Sequence, residues 1–172
     1  MTSAVLSARR AMWTPARALL FGGLTVGVLD ALDALIIFGL RGVPPARVFQ
    51  GIASGLLGRV AFEGGLATAL LGVLLHFFIA FVVVAIYHAS ARRLPVLAFR
   101  PWLVGPLYGL LVYAVMNLIV IPLSAIAPGP RSAGALLNGL LIHGFGVGLP
   151  AALSARAALV ASDAARASAP AT

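Results

Sequence analysis

The chain is 172 residues long, 62% hydrophobic and 9% charged, with a net charge of +8 and no cysteine. A soluble domain carries about 25% charged residues, so this chain cannot cover its surface with polar groups and reads as an integral membrane protein. Disulfides, thiolate metal sites and cysteine nucleophiles are excluded. All 12 basic residues are arginine; on a membrane chain they orient helices and meet anionic lipid rather than nucleic acid.

Residues 1–17 form an N-terminal segment. Its stretch "SARRAMW" (7–13) has the paired arginines of a twin-arginine signal. The apolar run that follows is too long for a cleavable signal and contains Asp30 and Asp33, so a retained first helix is expected. Four segments, about 18–40, 66–89, 102–123 and 134–153, reach the roughly 20 residues that a spanning helix needs. Proline-containing breakers separate them at Val43-Pro44-Pro45, Arg92-Arg93-Leu94-Pro95 and Ala127-Pro128-Gly129-Pro130. The expected fold is therefore all-α, a membrane four-helix bundle within residues 18–155. Residues 156–172, rich in Ala and Ser, read as a disordered tail.

The connection from Pro44 to Gly65 is not an ordinary loop. Prolines suited to a helix start precede Val48, Phe49, Ile52, Leu56 and Leu57 at helical spacing, with Gly51, Ser54, Gly55 and Gly58 on the other side. Two placements are open: an amphipathic helix lying at the interface, which is preferred, and a re-entrant element tucked over the bundle mouth. Ser54 lacks a nearby base and reads as packing. Gln50, Arg59 and Glu63 could meet a lipid head group, although Arg59 and Glu63, four apart, read rather as an exposed ion pair.

Arg9, Arg10, Arg17, Arg92, Arg93, Arg100, Arg156 and Arg166 stand on one side of the spans, against Arg41, Arg47, Arg59 and Arg131 on the other. The positive-inside rule then places both termini in the cytoplasm. His88, beside Tyr87 near that end of the second span, reads as an interface anchor.

A polar layer crosses the spans. Asp30 and Asp33 lie in the first, His76 in the second, Asn117 in the third, and Asn138 and His143 in the fourth. Counted from the external ends, Asp30, Asp33, His76, Asn117 and His143 lie at depths of about 9–15 Å in a hydrocarbon core of about 30 Å. Helical spacing groups Gly105, Gly109, Tyr113 and Asn117; Gly72, His76, Ala80 and Val84; Gly139, His143 and Val147; and Gly23, Val26, Asp30, Asp33 and Ile37. Small residues mark helix–helix contact in lipid, and Gly23-x-x-x-Gly27 is a close-approach motif. The polar groups share those faces and are expected inside, with Tyr113 a secondary member of the layer. A charged Asp at the helix centre costs about 2.5–3.5 kcal/mol. Each carboxylate must be protonated, paired with a histidinium, bound to a cation or hydrated in a cavity.

With "PARVFQGIASGLLG", "HFFIAF", "YGLLVYAVMNLIVIPLSA" and "HGFGVGLP" in view, the chain resembles a family of small bacterial inner-membrane proteins with four predicted transmembrane helices and no assigned activity. The likeness covers roughly residues 20–155. It implies a bacterial inner membrane and a four-helix count, with the first Asp of "LDALD", His76, Asn117 and His143 at the family's polar positions.

Several functions fit. The layer is interhelical hydrogen bonding in an accessory or assembly protein, whose small-residue faces bind a copy of itself or a larger membrane complex. Alternatively it is a proton relay in a small proton-coupled or ion-conducting transporter. A third reading takes Asp30, Asp33, His76 and His143 as ligands of a divalent metal, or His76 and His143 as axial ligands of haem. No cofactor is required by any motif. A catalytic role is not expected, since no Gly-rich phosphate loop, G-x-S-x-G elbow or H-E-x-x-H is present.

Overall fold

The computed structural model of the chain describes residues 13–126 and 132–167. It is 89% helix, without strands among the described residues. Four helices are long and apolar enough to cross a membrane, as in a multi-pass membrane protein.

The first, α1 (Pro15–Gly39), starts where sequence dictates: the Thr14 hydroxyl accepts a hydrogen bond from the backbone N–H of Arg17 at 3.2 Å, and Pro15 occupies the first turn. A short helix, α2 (Pro45–Leu57), follows, then a 3-10 turn at Gly58–Phe62. The second long helix, α3 (Gly65–Arg93), ends before Pro95 and gives way to the single-turn α4 (Val96–Phe99). The third, α5 (Pro101–Leu123), contains a π turn at Met116–Val120. The fourth, α6, runs from Ala133–Leu141 through a π turn at Ile142–Gly148 into Leu149–Ala167. Ser132 caps its start by accepting from the N–H of Ala135 at 3.1 Å.

Both π turns have a local cause. Pro122 and Pro150 lack an N–H, and their rings press on the carbonyls of Leu118 and Gly146, four residues earlier. Widening the helix by one residue just before each proline relieves that clash without breaking the helix.

α1 packs on α3 and α6, and α5 packs on α6; α3 and α5 do not pack on each other along their length. The close seam is α5 on α6. A Cβ on Gly109 would overlap the carbonyl oxygen of His143, and one on Gly148 the carbonyl oxygen of Gly105. These glycines let two backbones touch, which is how helices associate where apolar burial supplies no drive. On α1, Gly23 and Gly27 make room for the rings of Phe81 and Phe77 of α3. The centre is held by Val26, Val84 and Val147.

Three expectations are corrected. The disordered tail at 156–172 is helical as far as Ala167, because alanine is the strongest helix former and Ala155 and Ala158 are buried; residues 168–172 lie outside the described residues, as do 1–12 with the paired arginines, and Arg131. Arg59 and Glu63 form no ion pair, since a 3-10 turn of about three residues does not align positions four apart. Tyr87 and His88 are not interface anchors. Tyr87 is 1% exposed and donates to the carbonyl of Leu97 at 2.7 Å, while buried His88 donates through Nε2 to the hydroxyl of Ser154 at 2.9 Å.

Candidate functional site

All four long helices contribute side chains to one cavity of about 240 Å³, whose lining includes Asp30, His76, Asn117, His143, Met116 and, from α2, Ile52. The geometry of each polar group follows from the helix that carries it.

His76 faces inward from α3 on the same stripe as Gly72, Ala80 and Val84, all buried. Its Nε2 lies 2.8 Å from the carbonyl oxygen of Gly27. A carbonyl only accepts, so Nε2 carries the proton and Nδ1 is left as the basic nitrogen. That Nδ1 sits 4.0 Å from Oδ2 of Asp30, with side chains 10% and 30% exposed respectively. The ring is held edge-on between Phe77, at 5.4 Å between centroids, and Phe49 of α2, at 6.4 Å.

His143 sits in the π turn of α6. Its Nδ1 donates to the carbonyl of Gly139 at 3.0 Å, which leaves Nε2 as acceptor, and its ring meets Tyr113 edge-on at 5.1 Å. Asn117 sits in the π turn of α5, and its Nδ2 donates to the carbonyl of Tyr113 at 2.9 Å. Tyr113 therefore supports two members of the site, packing against His143 and accepting from Asn117.

Asp33 goes elsewhere. Its Oδ2 accepts a hydrogen bond of 2.8 Å from Nδ2 of Asn138. The expected metal set of Asp30, Asp33, His76 and His143 thus does not assemble, and no group of three His, Asp or Glu suited to a metal occurs among the described residues. The two aspartates share a face of α1, but Asp33 lies about 4.5 Å further along the helix, where Asn138 near the start of α6 holds it, while Asp30 lines the cavity. The cavity, at about 240 Å³, lies below the about 300–1,000 Å³ of ordinary small-molecule sites.

Sequence reasoning missed three parts of the site. Asn138 was seen only as a polar residue, although its placement near Asp33 is what draws that carboxylate away. The prolines within the third and fourth spans were the available signal for the π turns. Gln50 was taken for a surface residue; it is buried, and its amide donates to the carbonyl of Gly65 at 2.9 Å. Together with the bond from the N–H of Ala125 to the carbonyl of Gly55 at 3.0 Å, this ties α2 both to the start of α3 and to the chain after α5.

Compared with protein-family models, curated proteins and solved structures, the chain finds no match in any of the three. Its chemistry is therefore read from the cavity itself.

Proposed function

We propose that the protein is a small proton-coupled or ion-conducting carrier of the bacterial inner membrane, a four-helix bundle in which Asp30 and His76 hold the transferable proton. The observation that carries this reading is the approach of Asp30 to the basic nitrogen of His76, 4.0 Å away, inside a cavity that Asn117 and His143 also line. Intramembrane ionisable groups that face a shared interior mark proton and ion pathways more often than structure. Here His76 is oriented by Gly27 so that proton uptake falls on the nitrogen facing the carboxylate. At 4.0 Å the pair is too far for a direct hydrogen bond, and a rotamer shift or one bridging water carries the proton across.

Both π turns lie at this level, where such turns concentrate at functional sites. We read α2 as re-entrant, a roof over the external mouth: its Gln50, Ala53 and Ser54 are buried. A Cβ on Gly72, about 10 Å along α3 from Gly65, would overlap the carbonyl oxygen of Phe49. Both termini are assigned to the cytoplasm by the arginine distribution. An accessory or assembly role asks for small-residue faces open to a partner. The glycines at 23, 27, 72, 105, 109 and 148 are engaged within the chain, which is why the cavity is preferred as the seat of function.

The test is proton entry into proteoliposomes under a potassium diffusion potential, followed by an internal pH dye. Wild-type protein accelerates entry over empty vesicles, and Asp30→Asn lowers the acceleration at least about tenfold, the loss of about 1.4 kcal/mol or more of differential stabilisation. Wild-type rates in that variant, with the protein folded and inserted, would remove the proposal.

A further inference from the structure

A second, apolar space adjoins the polar cavity. α3 and α5 are bridged low down by Tyr108, whose hydroxyl donates to the carbonyl of Val83 at 2.7 Å and whose ring meets Tyr87 at 4.8 Å. Along the rest of their length the two helices are not closely packed. The space between them is an apolar groove of about 330 Å³ walled by bulky side chains such as Phe78, Val82, Leu111 and Val115. Ile79, Val112 and Met116 belong to the wall of this groove and also to that of the polar cavity. The groove and the cavity therefore adjoin across these three side chains and are taken together as one candidate cleft, with Tyr108 on the groove side and Asp30, His76 and Ile52 of α2 on the cavity side.

The inner end has a definite polarity. Asp30 is the one formally charged residue in the cavity lining apart from the histidines. With Nε2 of His76 and Nδ1 of His143 spent on backbone carbonyls, the nitrogens left over are acceptors while the rings are neutral. Asn117 spends an N–H on Tyr113 and keeps its carbonyl oxygen. No buried side-chain N or O among the described residues lacks a partner, and the residues that carry these leftover atoms line the cavity. An acceptor-rich pocket with a carboxylate takes a cationic hydrogen-bond donor and rejects an anion.

We infer that this cleft binds an amphiphilic organic cation, an ammonium head at Asp30, His76, Asn117 and His143 and a hydrocarbon tail in the groove between α3 and α5, admitted sideways from the bilayer. The inference rests on the proton-coupled reading and names its cargo. The head is limited by a cavity of about 240 Å³, which suits a primary or small secondary amine. The ammonium and the proton then compete for the same carboxylate, so loading one displaces the other. That exchange is the elementary step of coupling and needs no further reagent.

The experiment uses the full chain in nanodiscs and three probes with the same tail: octylammonium, octanol and octanoate. Binding of tritiated octylamine is read by scintillation proximity, with empty nanodiscs as background. Saturable binding is expected, displaced by unlabelled octylammonium at least about tenfold more effectively than by octanol, and not by octanoate. Asp30→Asn is expected to weaken it at least about tenfold. Val115→Trp, at a lipid-exposed position on the groove wall, is expected to weaken it comparably by filling the tail site.

Equal competition by octanoate, or wild-type binding in Asp30→Asn, overturns the assignment of the head. Undiminished binding in Val115→Trp overturns the placement of the tail in the groove. The wild-type probe series needs no variant to fold. Proton flux that persists without octylammonium binding defeats the cargo and leaves the proton reading standing. Binding without Asp30-dependent flux does the reverse.

Discussion

At the level of single residues, the fold spends its few polar groups in pairs. Asp33 is matched by Asn138, His88 by Ser154, and Gln50 by the carbonyl of Gly65. Asp30 stands apart, with the imidazole of His76 at 4.0 Å. The glycines carry the complementary constraint. Because a Cβ on Gly109 meets the carbonyl oxygen of His143, a backbone atom that cannot rotate aside, Gly109→Ala is expected to cost about 1–3 kcal/mol by overpacking. It also pushes the π turn that carries His143 away from the cavity. Unfolding in detergent–denaturant titrations measures the first effect; wild-type stability in that variant would mean that α5 and α6 are not in backbone contact.

Among the elements, α2 is a short helix tied by polar bonds to the start of α3 and to the chain after α5. It has no side-chain cap at its start, and Gln50 adds a polar tie to α3 beside the close packing of Phe49 on Gly72 and His76. Replacing Gln50 with Leu keeps the bulk and removes the donor to the carbonyl of Gly65 and the hydroxyl of Thr68; both partners keep other bonds, so the loss is that of an ordinary hydrogen bond, about 0.5–1.5 kcal/mol. That cost falls on α2 first. Hydrogen exchange of Gln50→Leu is expected to show faster exchange over Pro45–Leu57, with the core of α3 around Val84 unchanged. Uniform acceleration over the whole chain would show that α2 and the long helices unfold as one unit. The π turns are the second elemental feature. Each lies at the polar level just before a proline, which an apolar span tolerates because neighbouring helices re-satisfy the backbone.

For the whole molecule, the outer faces of the long helices are leucine, phenylalanine and valine. Leu24, Leu74, Phe78, Leu107 and Leu118 are all exposed, a surface suited to acyl chains. Orientation is the property that the arginines set. Since the chain has no cysteine, single cysteines report it cleanly. Leu40→Cys, at the α2 end, is expected to react with an impermeant maleimide in intact cells. Leu94→Cys, between α3 and α4, is expected to react only after the membrane is opened. Both positions are exposed. The reverse pattern would invert the bundle and place the mouth roofed by α2 on the cytoplasmic side.

Hydropathy and helical periodicity were enough to read four long apolar helices and the faces of α3, where Gly72, His76, Ala80 and Val84 recur every four residues and are all buried. These depend on the chain's own geometry, and a repeat of about 3.6 residues per turn is written into the order of side chains. The division of labour between Asp30 and Asp33 was not legible. It turns on how far α1 is rotated against α3 and α6, and on Asn138 lying within reach of one carboxylate. The depth of α2 and the gap between α3 and α5 were likewise hidden, because the distance between two helices is settled by the side chains of both at once. Composition carries the lipid environment; which polar atoms are left without partners, and where the cleft opens, emerges only when all the helices have packed.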